Sequence, residues 1–158
     1  IVPPEKWCIT KDDIILFAEM VEIWVKSGRI LPSTHDPFEV KDGTIGPSIY
    51  TVCDQMIKPF TDAAGGASWA LLLHNEGLEC DVFFSHSWTE GSFEFVKKVL
   101  HSWPWGAKAA YVCFLSNPQN LDISALVESP SQSPFAKALD AAKFMVAIPN
   151  AKCSIYTR

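Results

Sequence analysis

The sequence has no long hydrophobic run. Its most apolar stretches, 69–73 and 82–84, are far shorter than the roughly 18 to 20 residues that cross a bilayer as a helix. Hydrophobic residues nevertheless make up 48% of the 158 residues, which is enough to bury a core. We therefore expect a globular chain without a membrane span, and peripheral association with a membrane stays open.

An excess of positive charge is also absent. The formal net charge is −5, whereas a nucleic-acid surface normally shows a basic stripe, so nucleic acid is not an expected partner. The balance is uneven along the chain, because residues 1–79 carry 12 acidic and 6 basic side chains and residues 80–158 carry 6 and 7. The resulting charges of −6 and +1 indicate two segments with different surfaces.

Paired cysteines are missing as well. The cysteines are odd in number, widely separated and without a C-x-x-C pair: Cys8, Cys53, Cys80, Cys113 and Cys153. This spacing argues against a zinc site and against a disulfide framework, so no metal site is predicted. Cysteines that border apolar runs usually behave as small buried hydrophobes. We expect structural thiols in a reducing intracellular compartment, either the cytoplasm or an organelle.

Helical signals dominate residues 1–79. Thr10 followed by Asp13 has the pattern of a capping box, and apolar residues at helical spacing follow it. Pro47 is placed to open a second helix that ends near Pro59. A third helix is predicted over 68–75. The first half of the chain is therefore interpreted as an α-helical N-terminal segment.

Strands and helices alternate from residue 80 onwards. Buried strands are predicted near 81–85, 109–115 and 143–148, with a helix in each connection. This alternation is typical of a parallel sheet built from right-handed crossovers, and we expect the strand near 81–85 to lie in the middle. The predicted fold class is α/β, with a flavodoxin-like domain over 80–158 that is truncated at its C-terminal end.

Polar and aromatic side chains cluster where the first of these strands ends. Ser85, His86, Trp88 and Glu90 follow it, and Asn117 lies in a polar loop after the second strand. Ligands of open α/β sheets bind beyond the carboxyl ends of the strands, so these five residues are the predicted lining of a crevice. Structural interpretations compete with this hypothesis: a strand-end histidine often anchors a loop, and Glu90 suits a solvated helix N-terminus.

Catalytic signatures are lacking around this crevice. The stretch 85–90 contains no glycine, and neither G-x-G-x-x-G nor a Walker pattern occurs in the chain. Ser85 and His86 are neighbours on a strand, so their side chains point to opposite faces and cannot form a nucleophile–base pair. We therefore assign no catalytic residue and predict no cofactor.

Large aromatic side chains are more numerous than so short a sheet readily covers. The candidates for an interface with another chain are four tryptophans: Trp7, Trp24, Trp103 and Trp105. Packing is the competing interpretation, because tryptophan chiefly supplies buried area. We expect at least one of the four to lie at an interface, with other protein chains as the partners.

The motif around the first strand resembles a known family. Asp81-Val82-Phe83-Phe84-Ser85, followed by an amphipathic helix, is similar to the opening of Toll/interleukin-receptor (TIR) domains. The longer pattern F-S-H-S-W-T-E over 84–90, with S-P-F-x-x-A-L over 133–139, resembles a group of TIR-like proteins of protists and algae. The resemblance covers residues 80–158 and implies a flavodoxin-like fold.

The resemblance implies one of two activities. TIR domains act as self-associating signalling modules or as enzymes that cleave NAD with a glutamate in a W-C-x-x-E-like segment. No residue of this chain matches that glutamate, and the segment would be expected to begin near Arg158. We therefore predict a non-catalytic interaction or scaffold module. The alternatives are an NAD-cleaving hydrolase whose glutamate lies beyond residue 158, with NAD as its ligand, and an accessory structural subunit of a large assembly, for which an organelle is one setting.

Overall fold

A single four-stranded sheet organises the chain in this computed structural model, which describes residues 1–121 and 128–150. The strands are β1 (Ile9–Thr10), β2 (Val82–Ser85), β3 (Ala109–Val112) and β4 (Phe144–Ala147), in the order β1-β3-β2-β4. β2 pairs in parallel with β3 and with β4, which confirms the predicted parallel arrangement with this strand in the middle. β1, which the sequence pattern did not indicate, pairs antiparallel with β3.

Seven α-helical segments surround the sheet within the described residues. They are α1 (Lys11–Lys26), α2 (Ile49–Val52), α3 (Lys58–Ala63), α4 (Trp69–Leu73), α5 (Ser92–Ser102), α6 (Cys113–Ser116) and α7 (Pro134–Ala141). A π-helical segment, Cys53–Ile57, joins α2 to α3, and 3₁₀ turns occupy Pro4–Lys6 and Pro130–Gln132.

The predicted start of α1 is confirmed by a complete capping box. The hydroxyl of Thr10 accepts a hydrogen bond from the backbone N–H of Asp13 at 3.2 Å. In return, the Asp13 carboxylate accepts the backbone N–H of Thr10 at 2.7 Å. Two N–H groups that no helical carbonyl can reach are thereby satisfied, so the helix begins at a defined residue.

The predicted second helix differs from the structure at both ends. Pro47 lies before the helix and not in its first turn, and Ser48 is the cap, with its hydroxyl accepting the backbone N–H of Thr51 at 3.2 Å. The helix also continues through Pro59 to Ala63. The residue before this proline bonds in the π pattern, Lys58 N–H to Cys53 carbonyl, and this one-residue expansion accommodates the ring without ending the helix.

The second strand of the parallel sheet is shorter than predicted. β3 ends at Val112, and the apolar residues after it form the helical turn α6. The hydroxyl of Ser116 accepts the backbone N–H of Val112 at 3.0 Å and so closes the turn. Because the residues on both sides of the boundary are apolar, hydrophobicity alone could not locate the end of the strand.

The two crossover helices lie on opposite faces of the sheet. Phe95 and Val99 of α5 belong to the larger core, whereas Ala138 of α7 belongs to the smaller core on the other face. The connection from β2 to β3 runs in one direction across the sheet, and the connection from β3 to β4 runs back past β2 in the other. If both crossovers have the same hand, their helices must lie on opposite faces of the sheet. The larger core takes residues from both 1–79 and 80–158, because α1 packs on α5.

Asp81 links the amino-terminal ends of the three parallel strands. Its carboxylate accepts the backbone N–H groups of Lys108 and Ala109 at 2.7 and 3.2 Å, and Lys143 Nζ lies 3.3 Å away. Burial raises the pKa of this carboxyl, but these donors outweigh it and the pKa lies below its ordinary value. One side chain thus holds the residues that lead into β2, β3 and β4 together.

Candidate functional site

The carboxyl ends of β2 and β3 bring together a histidine, a glutamate and a cysteine. His86 directly follows β2, and its Nε2 atom lies 3.1 Å from Sγ of Cys113, the residue that follows β3. The other ring nitrogen, Nδ1, lies 3.3 Å from the Ser87 carbonyl oxygen and 3.8 Å from Oε1 of Glu90. The sequence indicated the first two residues as site candidates and did not indicate the cysteine.

The imidazole of His86 is buried in an aromatic environment. Its ring centroid lies 4.9 Å from that of Phe95 and 5.1 Å from that of Phe114. The side chains of His86 and Glu90 are only 1% and 0% exposed. The expected solvated glutamate at a helix N-terminus is therefore wrong, since Glu90 lies inside the protein before α5 begins.

A loop from the first half of the chain covers this end of β2. The backbone N–H groups of Ile49 and Tyr50 donate to the carbonyls of Glu90 and Trp88 at 3.0 and 3.2 Å. Ser48 also forms a β-bridge with Gly91. The residues after β2 are therefore held against the start of α2, and His86 and Glu90 do not form an open rim.

Trp88 is partly buried between this loop and the core. Its ring centroid lies 5.4 Å from that of Tyr50 and 6.2 Å from those of Phe114 and His86. Tyr50 is 53% exposed, so the outer side of the pair reaches solvent. Trp88 thus covers the histidine from outside.

Ser85 and Asn117 belong to the other face of the sheet. Ser85 alternates with Phe84 along β2 and shares the side of Phe83, so it does not pair with His86. The carboxamide oxygen of Asn117 accepts a hydrogen bond from the Tyr111 hydroxyl at 2.5 Å. The five predicted crevice residues therefore do not face one common space: His86, Trp88 and Glu90 lie together, and the other two lie apart.

Three of the four candidate interface tryptophans contribute to packing. Trp7 is buried, Trp24 packs against the core with the Arg29 guanidinium 5.4 Å from its ring, and Trp103 donates its indole N–H to the Ala107 carbonyl at 2.8 Å. Only Trp105 among them is fully exposed.

None of the four described cysteines forms a disulfide: Cys8, Cys53, Cys80 and Cys113. Cys153 lies outside the described residues, as does the rest of 151–158. A hydrogen bond to Cys80 and burial raise the pKa of Cys8, and burial raises the pKa of Cys53 to about 11. Both thiols are consequently protonated near neutral pH. Cys113 differs from the other three because it is partly exposed.

Two absences within the described part of the chain bear on ligands and membranes. Across residues 1–121 and 128–150 no group of three or more His, Cys, Asp or Glu side chains is arranged to hold a metal ion. None of the helices within the same ranges has the length and apolar character that a membrane crossing requires.

The geometry above is the basis for any functional assignment, because comparisons with known proteins supply none. No family model, no curated protein and no solved structure matches this chain.

Proposed function

We propose that this chain is a non-catalytic protein-interaction module with a TIR-like, flavodoxin-like fold, and that it associates with a second copy of itself through helix α1. The observation that carries the proposal is an apolar stripe on the outward face of this helix. Leu16 and Ile23 are 45% and 62% exposed, and the half-buried Met20 lies between them. The spacing i, i+4, i+7 places all three on one face.

The strand order supports the flavodoxin-like part of the proposal. The central strand β2 comes first along the chain among the three parallel strands, β3 lies on one side of it and β4 on the other. This is the 2-1-3 beginning of the flavodoxin-like order, with crossover helices on alternate faces.

Helix α1 has two apolar faces, and only one of them is needed for the fold. The inward face consists of four buried residues: Ile14, Phe17, Val21 and Val25. At about 100° per residue Leu16 and Ile23 lie roughly opposite this face, and Met20 lies towards its side, where it also packs partly against the core. Single exposed apolar residues are common on surfaces, but a stripe with the helical period is typical of a helix–helix interface.

An antiparallel pairing with a second copy matches the apolar stripe of α1 and brings opposite charges at the two helix ends together. A twofold axis near Glu19 places Leu16 of one copy opposite Ile23 of the other. The same axis places Asp12, in the first turn, opposite Lys26, in the last turn. Glu19 meets its own copy at the axis, and this repulsion keeps the association weak.

Sedimentation velocity tests the proposal. One 16-residue helix provides a small interface, so we expect a monomer at about 1 μM and a growing dimer fraction towards about 100 μM. Ile23→Glu places a charge in the interface and should leave a monomer at every concentration. Leu139→Glu is the matched control, because Leu139 is 45% exposed on α7, across the sheet from α1.

A further variant in the same series should strengthen the association. Glu19→Gln removes the like-charge contact at the axis and should increase the dimer fraction at a given concentration. A wild-type chain that stays monomeric at about 100 μM would refute the proposal. Equal effects of Ile23→Glu and Leu139→Glu would also refute it, because the association would then not depend on α1.

A further inference from the structure

We propose that Cys113 is a nucleophilic thiol, activated by His86, that reacts with small electrophiles and is oxidised by hydrogen peroxide to a sulfenic acid. This inference is independent of self-association through α1, which lies elsewhere on the chain. It rests on three features: the sulfur–nitrogen contact, the fixed ring, and the partial exposure of the thiol.

The direction of the proton follows from the contacts of the imidazole. Nδ1 lies 3.3 Å from the Ser87 carbonyl oxygen, which can only accept a hydrogen bond, so the ring proton resides on Nδ1. Nε2 then carries a lone pair, and it faces Sγ of Cys113 at 3.1 Å. The thiol therefore donates to Nε2, and transfer of this proton yields a thiolate beside an imidazolium.

The surroundings hold the ring in that orientation. Phe95 and Phe114 pack around the imidazole, and Trp88 covers it on the outside. The Glu90 carboxyl, 3.8 Å from Nδ1, stabilises a positive ring when it is ionised. A nucleophile, a base and a group behind the base thus lie in a row, which is the arrangement that activates weak nucleophiles in proteins.

Exposure distinguishes Cys113 from the other described thiols. Cys8, Cys53 and Cys80 are buried, whereas Cys113 is partly exposed at the end of β3. Reactive cysteines combine a nearby positive charge with access from solvent, and buried cysteines are inert. The base itself is inside the protein and the cysteine is only partly exposed, so a small electrophile fits the site better than a bulky substrate.

The reaction with peroxide balances within the site. The thiolate sulfur attacks one oxygen of hydrogen peroxide, so an S–O bond forms as the O–O bond breaks. The leaving hydroxide takes the proton from the His86 imidazolium and departs as water. The sulfur is oxidised to the sulfenic acid, the peroxide is reduced, and the imidazole returns to its neutral form.

Alkylation of the full 158-residue chain at pH 7 with limiting iodoacetamide, followed by peptide mapping, tests the assignment. The reference is the rate at the same cysteine in the urea-unfolded chain, which needs no variant. A more acidic thiol is ionised to a greater extent at pH 7, but its thiolate is a weaker nucleophile. The two effects partly offset each other, so we expect Cys113 to be alkylated about threefold or more faster in the folded than in the unfolded chain. Cys53 provides an internal control and should react more slowly in the folded than in the unfolded chain.

Variants assign the effect to the histidine. His86→Gln should reduce the Cys113 rate to the unfolded value or below, whereas His101→Gln, at an exposed position of α5, should leave it unchanged. After treatment with hydrogen peroxide, dimedone should label Cys113 in the wild-type chain and not in His86→Gln. A folded wild-type Cys113 that reacts no faster than in the unfolded chain would overturn the proposal, whatever the variants do.

Discussion

At the scale of single residues, Gly91 lies at one of the tightest contacts between the two halves of the chain. A Cβ atom at this position would lie 2.2 Å from the backbone oxygen of Ile45. That oxygen is held in place because it accepts the N–H of Phe93 at 3.0 Å. We therefore predict that Gly91→Ala destabilises the protein by at least about 2 kcal/mol, since backbone and not a flexible side chain has to move.

Thermal unfolding of this variant is best compared with Gly43→Ala. Gly43 lies in the same connecting region, but nothing is within 4 Å of the Cβ that alanine would add. Gly43→Ala should change the unfolding free energy by less than about 0.5 kcal/mol in either direction. If the two variants melt together, the loop over the end of β2 is not packed as described.

Asp81 gives a prediction with a pH dependence. Its folded pKa lies below the ordinary value, so it stabilises the fold fully above about pH 4, the unfolded pKa of an aspartate. This stabilisation is lost as the pH falls through the folded pKa. Asp81→Asn should therefore cost about 1–3 kcal/mol at pH 7, where it weakens hydrogen bonds to a charged acceptor, and less at pH 3.

Urea unfolding at the two pH values measures this difference. Asp140→Asn is the control, because Asp140 is exposed on α7 and should show little loss at either pH. A loss from Asp81→Asn that is the same at pH 3 and pH 7 would show that shape, and not charge, matters at this position.

At the scale of elements, α1 depends on its first turn. Thr10→Ala removes the hydroxyl that accepts the Asp13 N–H, and we expect a cost of about 1 kcal/mol. Thr10→Ser keeps that acceptor and should recover most of the loss. Denaturant midpoints of the two variants decide between a capping effect and a packing effect, because equal losses would assign the effect to the missing methyl group.

Elements with local signals were predictable from the sequence. The cap of α1 depends on residues three apart, and the amphipathic pattern of α5 lies within one short stretch. The ends of β3 and of the helix through Pro59 were not predictable. The end of β3 depends on a turn closed by Ser116. The continuation of the helix through Pro59 depends on a π-helical segment that hydrophobic spacing does not encode.

The candidate site was only partly predictable for a related reason. His86, Trp88 and Glu90 lie in one loop, so the sequence already grouped them. Cys113 joins them only because β2 and β3 are parallel neighbours, and it stands in an apolar run that suggested a buried thiol. The covering by residues 45–50 is also a contact between distant parts of the chain.

At the scale of the whole molecule, the order of the parallel strands was predictable because crossover handedness leaves few topologies. The extra strand β1 and the packing of α1 on α5 were not, since a two-residue strand has no sequence signal of its own. The same docking that buries one face of α1 also turns its second apolar stripe towards solvent.

Cross-linking tests this account of the molecule most directly, because it reports the position of the contact as well as its existence. In the antiparallel pairing, residue 19 lies next to its own copy, whereas the two copies of residue 12 are about 21 Å apart along the helices. Glu19→Cys should therefore form dimers with a short bismaleimide, and Asp12→Cys should not exceed the wild-type background. Equal cross-linking of both variants, or none at residue 19, would contradict association through α1.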